Sequence, residues 1–130
     1  MTIPEILSTY KTIAVVGLSA NKFRPSYGVS AYMQRAGYRI IPVNPGQSSI
    51  LGETCYPDLL AVPEKVEIVN IFRQPDAVPA VVDQAIAIGA KVIWMQEDVV
   101  HEEAAAKARA AGLDVVMDRC ILKDHRAAGL

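Results

Sequence analysis

The sequence predicts a Rossmann-like α/β domain, a doubly wound five-stranded parallel sheet with helices on both faces. Three observations lead there. Five short apolar runs, Ile13–Leu18, Tyr38–Val43, Glu67–Phe72, Lys91–Met95 and Asp114–Met117, are rich in β-branched residues and lack strict alternation. Strands of a parallel sheet, covered on both faces, have that look. Helix-like stretches separate the runs, and three of them close on glycine: Tyr27–Ala36 before Gly37, Ala77–Ile88 before Gly89, and His101–Ala111 before Gly112. After each glycine the next strand follows within one or two residues, which is the αβ half of a βαβ unit, repeated three times.

Taken in order, a short helix at Pro4–Thr9 precedes the first strand. The stretch Leu51–Val62 is the least regular, with Pro57-Asp58 capping a short helix at Leu59–Val62. The two histidines fall at a helix start (His101) and in a polar C-terminal tail (His125), neither with a metal-ligand neighbour at a useful spacing. Trp94 and Met95 are adjacent, so in a strand they point opposite ways and one of them is expected in the core. Right-handed crossovers leave few topologies, and the order expected is 3-2-1-4-5. No linker or low-complexity segment interrupts residues 1–130, so a single domain is expected.

Composition narrows the function. The chain is 52% apolar and only 6% aromatic, with Ala, Val and Ile prominent. A formal net charge of −1 provides no general attraction to nucleic acid or to an anionic membrane, so an anion site must be built locally. No apolar run reaches membrane-spanning length. Two cysteines, Cys55 and Cys120, are too few for a disulfide framework or a zinc cluster. The start, Met1-Thr2-Ile3-Pro4-Glu5, lacks the order of a secretion signal, and a cytoplasmic location is expected.

Open parallel sheets bind ligands beyond the carboxyl ends of their strands, so the residues there carry the functional argument. After the first strand come Gly17, Ser19, Lys22, Arg24, Pro25 and Ser26, leading into a helix. This is not a G-x-G-x-x-G loop. It still combines the elements of a phosphate site: helix amides, two cations and two hydroxyls. The competing interpretation is an ordinary capped loop. After the second strand comes Asn44-Pro45-Gly46, where an NAD-binding domain carries an acid for the ribose 2′-hydroxyl. An uncharged residue there favours a phosphorylated ribose, as in NADP or coenzyme A, although the same residues also make a turn.

After the third strand, Phe72 and Arg73 stand where phosphates or an adenine ring are expected. After the fourth come Gln96 and Glu97; the Gln96 amide suits the uncharged amides of a pantetheine arm. After the fifth comes Cys120, either a small buried hydrophobe or a thiol able to react with another thiol or a thioester. No nucleophile elbow, Walker motif or recognisable carboxylate pair is present.

Taken together, Val16-Gly17-Leu18-Ser19, Arg24-Pro25-Ser26 and Gly37-Tyr38-Arg39-Ile40-Ile41-Pro42-Val43-Asn44-Pro45 resemble the small single-domain CoA-binding protein family. So do Val69-Asn70-Ile71-Phe72-Arg73, Val92-Ile93-Trp94-Met95-Gln96 and Asp118-Arg119-Cys120. That family is similar to the N-terminal CoA-binding domain of the succinyl-CoA synthetase α subunit. The resemblance implies CoA phosphates at the first loop and its helix, and adenosine beside Val43–Pro45. It implies that Ile71–Arg73 line the next edge and Gln96-Glu97 lie along the CoA path. Where the family commonly has glycine two residues after Trp-Met-Gln, this chain has Asp98. The phosphohistidine domain of the synthetases has no counterpart in the sequence, so a binding module for CoA or an acyl-CoA without catalysis is expected. An NAD(P)-dependent oxidoreductase domain and a CoA-thiol redox sensor acting through Cys120 are the alternatives, and a protein partner or homo-oligomer stays open.

Overall fold

The computed structural model describes residues 1–130. Helix α1 (Ile3–Thr9) starts with a capping box: Thr2 Oγ1 accepts from the Glu5 amide and the Glu5 carboxylate accepts from the Thr2 amide, which satisfies two orphan donors reciprocally. Strand β1 (Thr12–Val16), helix α2 (Pro25–Arg35) and strand β2 (Arg39–Val43) follow. Next come a small antiparallel hairpin, β3 (Ser49–Ile50) with β4 (Glu53–Thr54), and a 3-10 turn at Leu59–Ala61 capped by Asp58. Strand β5 (Ile68–Ile71) leads through a 3-10 turn at Pro75–Ala77 into α3 (Val78–Ala87). Strand β6 (Val92–Met95), helix α4 (Glu102–Ala110), strand β7 (Asp114–Val116) and helix α5 (Ile121–Ala128) complete the chain.

The five long strands form a parallel sheet with helices on both faces, as the sequence predicts. Its order is β2-β1-β5-β6-β7. Counting only these five in chain order gives 2-1-3-4-5, so the expected 3-2-1-4-5 is corrected: the third strand lies beside the first, not outside the second. The handedness rule explains the difference. Helix α2 carries the chain from β1 to β2 on one face, and a right-handed crossover on that face always steps the same way. The next connection first packs Ile50 and Cys55 on that same face and then crosses to the opposite one, where Leu59 and Val66 join the core formed with α3 and α4. A right-handed crossover there must step back past β1. The face used by the Asn44–Glu67 segment decides the order, and its weak pattern hides that face from the sequence.

Alternate residues of each strand feed two cores. Ala14, Val16, Val69, Ile71, Ile93 and Met95 pack under α3 and α4; Ile13, Val15, Ile68, Val92 and Trp94 pack under α1, α2 and α5. Trp94 and Met95 are therefore both fully buried, one per face, where only one was expected. Gly37, Gly89 and Gly112 have φ of 101°, 75° and 90°, the left-handed residue that lets a helix end turn into the next strand.

The C-terminal segment corrects a second expectation. It is not a polar tail but helix α5, which buries Ile121, Asp124 and His125. Three residues one turn apart on one face leave too short a pattern to register in the sequence. His125 Nδ1 lies 2.8 Å from the Tyr32 hydroxyl, and its ring meets Tyr32 and Tyr38 edge-on. His101 is the N-cap of α4, its Nδ1 accepting from the Ala104 amide at 3.1 Å.

Candidate functional site

Strands β1 and β5 are neighbours, yet their chains leave the sheet towards opposite faces, β1 to α2 and β5 to α3. This is the topological switch, where a crevice opens at the carboxyl edge of the sheet. A cavity of about 630 Å³ lies there.

Gly17 sets its floor. Its φ is 88°, and a Cβ built on it would stand 2.3 Å from the Phe72 carbonyl oxygen and 2.9 Å from Arg73 Cδ. Only glycine lets the loops after β1 and β5 come this close, and any larger residue would push Arg73 and the β5 loop away. From Gly17 the loop is braced by its own side chains. The Ser26 hydroxyl accepts from the Ser19 amide at 3.0 Å, the Ser19 hydroxyl accepts from the Asn21 amide at 3.0 Å, and Asn21 Oδ1 accepts from the Phe23 amide at 2.9 Å. Both hydroxyls still have a proton to donate. Arg24 is the N-cap of α2 and makes no capping bond, and Pro25 and Ser26 begin the helix. The Ser26 amide has no backbone acceptor, so a donor and the positive end of the helix dipole face the crevice edge.

Of the twelve residues expected to bind a ligand, the cavity gathers nine: Gly17, Ser19, Arg24, Pro25 and Ser26 from one side, Phe72 and Arg73 from β5, and Gln96 and Glu97 from β6. Neither Arg24 nor Arg73 is in a salt bridge. Three residues stand apart from it. Lys22 is exposed on the loop. Pro45 lines a smaller neighbouring recess of about 190 Å³ that shares Arg73. Asn44 is already engaged, its Nδ2 donating to the Leu18 carbonyl at 2.9 Å and its Oδ1 accepting from the Gly46 amide at 2.9 Å. It straps the loops after β1 and β2 together, a role that its place in a turn motif does not reveal.

Gln96 is 3% exposed. Its Nε2 donates to Oδ1 of the equally buried Asn70 at 2.9 Å, while its Oε1 makes no hydrogen bond. Asn70 escaped the sequence argument; a polar residue inside the buried run Ile68–Ile71 was the available signal. The far wall adds Asp98, Val99 and Cys120. Asp98 takes φ of 69°, a left-handed conformation that glycine adopts freely and aspartate tolerates. Its amide donates to Asp118 Oδ1 at 2.7 Å, and Asp118 is itself left-handed, with φ of 58°. Arg119 grips Asp124 through two hydrogen bonds of 2.8 and 2.7 Å, and Lys123 meets Glu97 at 2.8 Å. Each carboxylate holds its cation above the ordinary value.

A crevice of this shape, flanked by unpaired guanidiniums and a helix start, suits a long anionic ligand. The family model described as CoA binding domain matches residues 11–126. The chain belongs to the CoA-binding domain family. Among members of known sequence, YneT of Bacillus subtilis is 42% identical over 123 residues, which cover 95% of this chain and 91% of YneT. An ADP-forming acetate–CoA ligase of Archaeoglobus fulgidus, enzyme II, is 31% identical over 94 residues; these cover 69% of this chain but only 14% of the ligase. A solved protein of Pyrococcus horikoshii superposes with a TM-score of 0.96 at 41% identity, over 98% of this chain and 90% of its own. The Rossmann-like fold and the family are thus shared with small proteins of similar length and with one part of much larger ligases. No helix is long and apolar enough to cross a membrane, and no group of three or more His, Cys, Asp or Glu is arranged to hold a metal ion.

Proposed function

We propose that this protein binds coenzyme A or an acyl-CoA at the carboxyl edge of its sheet, as a binding module without catalysis of its own. The observation that carries this reading is the junction at Gly17, where a glycine-only contact brings the α2 start and Arg73 to one crevice beside Arg24. In this arrangement the pyrophosphate lies against the Ser26 amide, with Arg24 and Arg73 giving charge-assisted hydrogen bonds. The adenosine end occupies the small recess by Pro45, next to Arg73. Lys22 is within the same loop and adds positive charge for the 3′-phosphate. The pantetheine arm runs towards β6, where Gln96 Oε1 accepts from one of its amides. Asn44 contributes by holding the loops rather than by touching the ligand. The uncharged end of β2 supports a phosphorylated ribose over NAD. A cytoplasmic setting, where CoA is made and used, fits this role.

Calorimetric titration with CoA, dephospho-CoA and NADP tests the reading. CoA is expected to bind most tightly, with dephospho-CoA weaker for want of the 3′-phosphate. Equal indifference to all three overturns it.

A further inference from the structure

Cys120 and Cys55 are both free and both about nine-tenths buried, but their settings differ. Cys55 donates to the Asn44 carbonyl at 3.4 Å, and burial pushes its thiol up. It lines neither the 630 Å³ cavity nor the small recess. Cys120 makes no hydrogen bond through its sulfur, and it lines the wall of the large cavity opposite the arginines. It is also the N-cap of α5, where its side chain makes no capping bond. Serine, threonine, aspartate and asparagine are the usual residues there; in this chain Thr2, Asp58 and His101 cap their helices, whereas Arg24, Gln74 and Ala77, like Cys120, do not. The Cys120 sulfur is therefore left without a hydrogen-bond partner beside the cavity.

The cysteine is also held still. Trp94 Nε1 donates to the Arg119 carbonyl at 2.9 Å, the Arg119 amide donates to the Met95 carbonyl at 3.3 Å, and the Arg119 side chain grips Asp124 of α5. A second group in the same cavity points to a ligand independently: Gln96, 3% exposed, whose Oε1 lacks a partner. With phosphates at the arginines and an amide of the arm at Gln96, the CoA reading directs the terminal sulfur away from β1 and towards the β6–β7 side, where Cys120 lies.

We infer that Cys120 is a thiol–disulfide exchange site that captures CoA covalently from CoA disulfide. This rests on the CoA reading above and adds a reaction to it. The Cys120 thiol loses its proton to solvent, and its sulfur attacks one sulfur of the CoA disulfide held in the cavity. The Cys120–CoA sulfur bond forms as the CoA–CoA sulfur bond breaks, and the second CoA leaves as a thiolate that takes a proton from solvent. Cys120 is oxidised, the departing CoA is reduced, and any added thiol reverses the exchange. The bound arm is then fixed in the crevice, so the oxidation state of the CoA pool sets how much of the protein is occupied.

Incubation of the purified protein with CoA disulfide, followed by intact mass measurement, tests this. The wild type and Cys55→Ser should each gain one CoA, lost on adding dithiothreitol, while Cys120→Ser should gain none. Capture should run at least about tenfold faster than with glutathione disulfide at equal concentration, because binding holds the reacting sulfurs together. Serine is a good N-cap, so Cys120→Ser is expected to fold, and titration of the wild type with reduced CoA separates the two readings. If the wild type binds reduced CoA but gains no adduct, or gains it no faster than from glutathione disulfide, the exchange site is wrong and the CoA site stands. If neither wild type nor variant binds reduced CoA, the CoA reading itself fails and takes this one with it.

Discussion

The two sides of the crevice use their charges differently. On the β1–β5 side, Lys22, Arg24 and Arg73 form no ion pair, and the loop is braced by uncharged serine and asparagine side chains together with backbone hydrogen bonds. On the β6–β7 side, Glu97 is paired with Lys123, Arg119 with Asp124, and Asp118 with the Asp98 amide. One side keeps positive charge available, and the other spends its charges on fixing the backbone that presents Gln96 and Cys120. On the CoA reading, the difference assigns affinity to the first side and positioning to the second. A polyanion gains from cations with no partner to leave, whereas a neutral arm ending in sulfur gains from a wall that does not move.

The largest effect expected comes from closing the junction between the two sides. Gly17→Val puts a branched side chain where even a Cβ meets the Phe72 carbonyl oxygen, at a φ that valine resists. Strain and overpacking together should cost about 2–5 kcal/mol, read by denaturant unfolding, and CoA binding should vanish. Folding as stable as wild type with CoA affinity retained would contradict the role given to this glycine.

Next come the free cations. Arg24→Ala and Arg73→Ala should each weaken CoA by between about tenfold and a hundredfold, the range of a charge-assisted hydrogen bond, with little change in Tm. Their residual binding should also depend less on salt. The matching truncation on the paired side, Lys123→Ala, should leave affinity nearly unchanged. If Lys123→Ala weakens CoA as much as Arg24→Ala does, the division of labour between the two sides is wrong.

A change away from both sides serves as control. Tyr38, at the amino-terminal edge of the sheet, donates its hydroxyl proton to the Leu7 carbonyl at 2.5 Å, and burial, then the neighbouring Tyr32, pushes its ionisation upward. Tyr38→Phe should lose about 1 kcal/mol of stability at neutral pH and leave CoA binding intact. The sign of the pH effect follows from the raised folded value. The wild-type contribution is complete below the ordinary tyrosine pKa of 10.0 and is lost as pH rises through the raised one, because the unfolded chain ionises first. Alkaline unfolding curves should therefore converge for wild type and Tyr38→Phe.

The smallest effect lies on the paired side. Asp98→Gly removes the left-handed cost of a non-glycine residue while keeping the backbone amide that bonds Asp118. A gain of roughly 0.5–1 kcal/mol in stability is expected, with CoA binding equal to or better than wild type. A loss of stability would show that the Asp98 side chain contributes something beyond its backbone.

Much of this was legible from residues alone because it is local. The β-branched runs, the glycines at 37, 89 and 112, and the polar stretch after each run place strands, helix ends and candidate binding loops by short-range chemistry. Nine of the twelve expected binding residues line one cavity for that reason: in a parallel sheet every strand end emerges at the same edge. What escaped was long-range or short in extent. Helix α5 buries only three residues, and the hairpin at β3 and β4 has two residues per strand.

The sequence by itself determined the fold class, the edge where the candidate site lies and the membership in a CoA-binding family, since periodicity and turn chemistry are properties of neighbouring residues. Tertiary structure alone decided the strand order, because handedness acts on the face that a connection takes, and Leu59 and Val66 show that face only once packed. It also decided which polar groups are free. Asn44 and Arg24 look equally available in a string of letters, yet one is tied to Leu18 and Gly46 and the other has no ion-pair partner. A hydrogen bond is a matter of distance and direction in space, and those are set when the loops meet over Gly17.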